Sequence, residues 1–190
     1  MGQQRAKQDF ITAFWKLYEK KPIHKISITE LCQCAGYHRS TFYVYFKDIY
    51  DLLDRAVDEL IAPAKTMFKN VDQINSFLRD GAIGEFLLNI FKKNEAYVAF
   101  LVKHHHSYIL EDKIKSHVSS ILKNNGLHSE FTDYMMAYHI SAVFGVIKFW
   151  FENDKSIQEE EMVHLIVSIS TQGIFTVFRQ KFIDHNGLET

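Results

Sequence analysis

Apolar residues recur at helical spacing from the start of the chain. Phe10, Ala13, Phe14, Leu17 and Tyr18 fall at i, i+3, i+4, i+7 and i+8 and form one stripe. Pro22, in "KKPIHK", cannot continue that helix and restricts Lys21 ahead of it. Ser27 then opens an S-x-x-E pair with Glu30, in which hydroxyl and carboxylate each take an orphan amide. The pair predicts a helix over 28–35, and Gly36 stands where a left-handed C-cap is needed. A third short helix is predicted from His38 or Arg39 to Phe46. Asp48 and Asp51 cap a fourth, whose inner positions are Ile49, Leu52, Leu53, Ala56, Val57, Leu60 and Ile61. Pro63 kinks or breaks this helix near a domain boundary.

Further helices are predicted over 72–92, 95–105, 107–123, 130–152 and 157–180, with stops at Asn94, "NNGLHS" and "NDKS". Ser156-x-x-Glu159 reads as a second capping box. The 130–152 segment has two apolar faces. One holds Phe131, Tyr134, Met135, Tyr138, Ala142, Gly145, Val146 and Phe149; the other holds Met136, Ile140, Val143, Phe144, Ile147 and Phe151. The last helix is apolar almost all round from Met162 to Phe178. Helices buried on both sides need a partner beyond their own domain, so a homodimer through 130–152 and 157–180 is expected.

Composition narrows the classes. With 47% hydrophobic and 24% charged residues, the 190-residue chain is globular and all-α, and two prolines with eight glycines leave little β-sandwich punctuation. Two cysteines, Cys32 and Cys34, are too few for a disulfide framework and suit a reducing compartment. No charged and then apolar leader opens the chain, and Ala6 stands where a myristoylation signal wants Ser or Thr, so a cytoplasmic location is expected. The charge-free run Met162–Phe178 is 17 residues long and contains His164, Ser168, Ser170, Thr171 and Gln172, which reads as a buried helix and not a membrane span. Charge is uneven: residues 1–50 hold eight Lys/Arg against four Asp/Glu (+4), and residues 51–190 hold fourteen against nineteen (−5). A basic end on an acidic body points towards a polyanion.

Two short helices joined at a glycine turn, with a supporting helix before them, make a helix-turn-helix whose second helix enters the major groove. Arg39 can fork onto guanine, and Ser40 and Thr41 can reach base edges or phosphate. Tyr43 and Tyr45 offer hydroxyls to phosphate oxygens, and Thr29 and Lys47 set register. The candidate DNA-binding residues are therefore Ser27, Thr29, His38, Arg39, Ser40, Thr41, Tyr43, Tyr45 and Lys47.

Residues 10–60 resemble the DNA-binding domain of the TetR/AcrR family of bacterial transcriptional regulators. The likeness rests on Phe10…Ala13…Leu17, "SITELCQCAG" and "RSTFYVYFKDIYDLL". It implies a helix-turn-helix domain over 1–50, a linking fourth helix over 48–69, and a helical effector-binding and dimerisation domain over 70–190. Thr41 and Tyr43 match the family's frequent DNA contacts, and Thr29 and Arg39 more variable ones. Two positions depart: Ile49 stands where the family often has a phosphate-touching Lys, and Cys32 where Ala is usual. The implied function is a ligand-responsive repressor on a palindromic double-stranded operator, with recognition helices about 34–36 Å apart. Ligand entry would alter that spacing through the fourth helix, with Pro63 as the bend. Phe86, Phe100, Tyr108, Tyr138, His139, Phe144 and Trp150 are the candidate effector-binding residues, since aromatic cavities suit small hydrophobic molecules.

Other chemistry finds little support. His104, His105 and His106 point about 100° apart on a helix and cannot converge on one ion, so they read as a solvated helix end. Glu161-x-x-His164 is half of a di-iron motif with no second pair, and Cys32 and Cys34 point apart. There is no serine elbow, phosphate loop or dinucleotide fingerprint, so neither enzyme, cofactor nor metal is expected. The rival reading keeps the helix-turn-helix scaffold for a co-regulator that works through protein contacts.

Overall fold

The computed structural model describes residues 2–67 and 83–173, all of it α-helix, 3-10 turn and loop with no strand among those residues. Eight α-helices are described: α1 (Gly2–Tyr18), α2 (Ile28–Ala35), α3 (Arg39–Tyr45), α4 (Ile49–Met67), α5 (Ile83–Lys103), α6 (Ser107–Asn124), α7 (Glu130–Glu152) and α8 (Glu159–Gln172). They divide into two compact units, residues 1–64 with 96–113, and residues 65–95 with 114–190.

In the first unit the α1 stripe is the core. Phe10, Ala13, Phe14 and Tyr18 are all buried, as the spacing predicts. A 3-10 turn at Ile23–Lys25 follows Pro22 and sinks Ile23 and Ile26 into the same core. Ser27 Oγ accepts the Glu30 amide at 3.1 Å, which starts α2. The reciprocal half of that predicted box is not made, because the Glu30 carboxylate takes Lys21 Nζ at 2.5 Å instead. Gly36 adopts φ 79° and its amide closes on Cys32 O. Asp48 Oδ1 accepts the amides of Tyr50 and Asp51 and starts α4, which buries Leu52, Leu53, Ala56, Val57, Leu60 and Ile61. The helix runs through Pro63 as far as Met67. Lys113, from α6, lies 2.8 Å from Asp54 and 3.2 Å from Asp58 of α4.

The three histidines do not form a solvated end. His105 turns the chain at φ 59°, and His104 and His106 are half-buried against the C-terminus of α1. His104 Nε2 donates to Tyr18 O at 2.8 Å, and Lys103 Nζ donates to Glu19 O at 3.4 Å. Cations and N–H donors at the carbonyl end of a helix suit its dipole. The fully buried Tyr18 hydroxyl meets His106 Nδ1 at 2.5 Å. Burial, with a smaller contribution from Tyr108, pushes the Tyr18 phenol well above its ordinary value. Burial, then His104 and His105, holds the His106 imidazole below its ordinary 6.5. Both directions favour a neutral phenol beside a neutral ring.

In the second unit α7 and α8 pack through Ile140, Trp150, Met162, Val163 and Ile166. Trp150 Nε1 donates to Ile157 O at 2.8 Å, and its ring meets Phe91 at 5.8 Å and Phe151 at 5.1 Å. Lys155 lies over both the Trp150 and Phe151 rings and pairs with Glu95, while Lys92 pairs with Glu160 at 2.5 Å.

Several predicted boundaries move. Asn94 does not stop a helix, since α5 is continuous across it. The Ser156 box is replaced by one at Gln158 and Glu161, because Asp154 (φ 52°) and Lys155 (φ 56°) prolong the turn. Ser129 and Thr132 form an unforeseen box at the start of α7. Gly173, at φ 86°, caps α8 after Gln172; the predicted 174–180 and 72–82 lie outside the described residues. Among those residues no helix is long and apolar enough to cross a membrane.

Candidate nucleic-acid interface

Seven residues are too few to hold a helix in water, so α3 depends on what it sits upon. Its anchor is Phe42, fully buried, with edge-on contacts to Phe10 at 5.5 Å and Tyr43 at 5.3 Å. Phe46, the residue after the helix, packs on Phe42 at 5.4 Å and Phe10 at 6.1 Å. Tyr37 closes the other side: its ring lies 5.3 Å from Phe10 and its hydroxyl donates to Asp9 at 2.8 Å. One α1 ring thus fixes both ends of the turn and the helix after it.

With Phe42 and Phe46 inward, the polar tips point out. Ser27, Thr29, His38, Arg39, Ser40, Tyr43 and Lys47 are exposed, and Thr41 and Tyr45 are half-buried. His38 is the N-cap of α3 and makes no side-chain cap bond, so its imidazole remains available. Arg39 Nη2 donates to Tyr43 Oη at 3.4 Å, one turn along, which pre-orients a guanidinium beside a phenol. Ser27 is partly committed, since its oxygen caps α2. Lys47 is held by its backbone: its amide donates to Asp51 at 2.9 Å, and that bond holds the Asp51 carboxyl below its ordinary range, aided by Arg55. The nine predicted DNA-binding residues therefore fall at the start of α2 (Ser27, Thr29), along α3 with its N-cap (His38 to Tyr45) and just after it (Lys47), all in one small domain. Ile49, in place of the family's lysine, is half-buried.

Two exposed residues were not among the predictions. Val44 is 70% exposed and Tyr50 55%. The signal for Val44 was its place four residues after Ser40, which puts the two on one face. Cys32 is buried and its thiol pushed up by that burial, as a packing residue requires.

The candidate effector residues are dispersed. Phe100 is half-buried and Tyr108 exposed in the first unit; His139 and Phe144 are half-buried, Tyr138 exposed and Trp150 buried in the second. Phe86 lies on α5, but its side chain is outside the described residues. Burial holds His139 below its ordinary value and therefore neutral. A cavity of about 460 Å³ is lined by Lys115, Ser116, Ser119, Ser120, Lys123 and Asn124, none of them in the predicted set. Among the described residues no group of His, Cys, Asp or Glu is arranged to hold a metal ion.

The comparisons agree with this architecture. Residues 82–172 match the family model TetR_C_8, described as a transcriptional regulator C-terminal region. Among solved structures the chain resembles "Dihydroxyacetone kinase operon activator DhaS", with a TM-score of 0.55 and 18% identity over 90% of this chain and 97% of that one. At that identity the likeness shows the fold. No curated protein sequence matches. Residues 82–172 thus form a TetR-type transcriptional-regulator C-terminal region, within an all-helical fold shared with a solved structure.

Proposed function

We propose that this regulator is a cytoplasmic repressor that binds a palindromic operator as a homodimer and releases it on binding a small hydrophobic effector. The observation that carries the DNA reading is the outer surface of α3, where Arg39, Ser40 and Tyr43 stand exposed over a floor of Phe10, Phe42 and Phe46. Those side chains supply fork, hydroxyl and phenol donors at the spacing of base edges and phosphates.

The dimer is supported by α7. On the first of its two predicted apolar faces, exposure ranges from 48% at Met135 to 72% at Phe131 and Tyr138, with Tyr134 and Phe149 between. Five large apolar side chains in one row favour a covered surface, and a two-fold axis lets the row cover itself.

Selection of bound duplexes from a random pool by the purified chain tests the proposal. The expected product is a pair of inverted half-sites whose affinity falls steeply with salt. A chain that enriches no sequence and shows no salt-dependent binding refutes it. In that event, capture of another regulator would favour the co-regulator reading, for which the half-buried Ile49 in place of a phosphate-binding lysine is the supporting observation. The structural neighbour is named as an operon activator. A promoter fusion reads the sign here, since a repressor predicts higher expression when the gene is deleted.

A further inference from the structure

We infer that Val44 reads a thymine methyl group in each half-site, an assignment that rests on the DNA-binding reading above. At about 100° per residue, Ser40 lies about 200° behind Phe42 and Val44 about 200° ahead. Each therefore sits within about 20° of the direction opposite the buried Phe42 ring. Phe42 faces the domain core at 0% exposure, so Ser40 and Val44 form the outermost ridge of α3.

The composition of that ridge is the informative part. The rings of Phe42 and Phe46 are buried, and Tyr45 is half-buried. Val44, a purely aliphatic and β-branched side chain, is left 70% exposed between polar neighbours. Valine is also a weaker helix former than the straight-chain residues that suit a solvated position, and α3 has only seven residues in which to absorb the cost. At that exposure the described residues offer the side chain little compensation. A contact outside the chain supplies it, and the floor of the major groove presents one apolar group, the C5-methyl of thymine. Around Val44 the surface is suited to DNA and poorly suited to an apolar protein partner: Arg39, Ser40, Tyr43 and Lys47 are all exposed. Four residues separate Ser40 from Val44, a rise of about 6 Å, close to two base-pair steps.

Each thymine of the selected operator is replaced in turn by deoxyuridine, which lacks only the methyl, and affinity is measured for the wild type and for Val44→Ala. One position per half-site is expected to weaken wild-type binding about fourfold, the equivalent of one buried methyl, and about fifteenfold when both half-sites are changed. The Val44→Ala protein should bind thymine and deoxyuridine operators equally while melting at the wild-type temperature. If no deoxyuridine substitution weakens the wild type, or if the loss persists in Val44→Ala, the inference is overturned while operator binding itself stands. If the protein binds no duplex, both readings fall.

Discussion

Removing one oxygen atom tests the contact between α1 and the turn before α6. Tyr18→Phe keeps the ring that stacks on Phe14 at 5.1 Å, and so keeps the packing, but deletes the hydroxyl that meets His106 Nδ1 at 2.5 Å. The hydroxyl belongs to a fully buried residue, and His106 is half-buried, so the nitrogen left behind regains water only in part. A lost hydrogen bond that strands a partly buried partner costs about 1–3 kcal/mol. For a chain of this length each kcal/mol moves the melting temperature by about 2–4 °C, so the variant should melt about 2–12 °C lower. Differential scanning calorimetry at pH 7.5 measures this directly. The second contact, His104 Nε2 to Tyr18 O, involves the backbone and survives the substitution, which bounds the loss. A melting temperature within 1 °C of wild type would show that the phenol–imidazole contact contributes nothing to stability, and would refute this reasoning.

Three further outcomes are expected. Gly36→Ala should cost about 1–2 kcal/mol from the left-handed backbone alone, because a Cβ there meets nothing within 4 Å at φ +79°; Gly145→Ala, on a regular helix with equal space, should not destabilise, and calorimetry of the pair separates the two effects. Arg39→Ala should cost about 1–3 kcal/mol on the selected operator and relax preference at one base pair, whereas Lys47→Ala should weaken all duplexes alike and lower the salt slope by about one, as read by titration at several salt concentrations. Stability should fall below pH 6.5: burial is the first cause that lowers His106, His117 and His139 from that ordinary value, so the unfolded chain takes up the protons first. The stabilisation is complete above pH 6.5 and drains as pH drops towards the folded-state values, which urea titrations at pH 7.5 and 5.5 will show; equal midpoints would contradict it.

Local chemistry made the N-terminal helices legible. The Phe10–Tyr18 stripe, the Ser27 hydroxyl, Gly36 and Asp48 each act on backbone groups within a few residues, so spacing alone reveals them. What was hidden depends on partners far along the chain. Glu30 reads as half a capping box until Lys21 competes for its carboxylate. His104 and His106 read as solvated because nothing nearby in sequence announces Tyr18, 86 and 88 positions earlier. Asn94 reads as a stop because its propensity is poor, yet Phe91 and Val98 on either side are buried, and packing overrides one weak residue. Val44 drew no reading from the sequence, since exposure is set by the direction of Phe42 and not by residue type. The effector residues were the least legible, because an aromatic ring fills a core and lines a cavity with the same sequence signature.

The support beneath α3 has a further consequence for how such a protein diversifies. Phe10, Phe42 and Phe46, with Tyr37 closing the turn, hold the helix in place, while Ser40 and Val44 lie on its exposed side. A duplicated gene could therefore exchange the two ridge residues and acquire a new target site while its fold stays as robust as its parent's. Drift at the three rings would instead dismantle the scaffold before any new target was found.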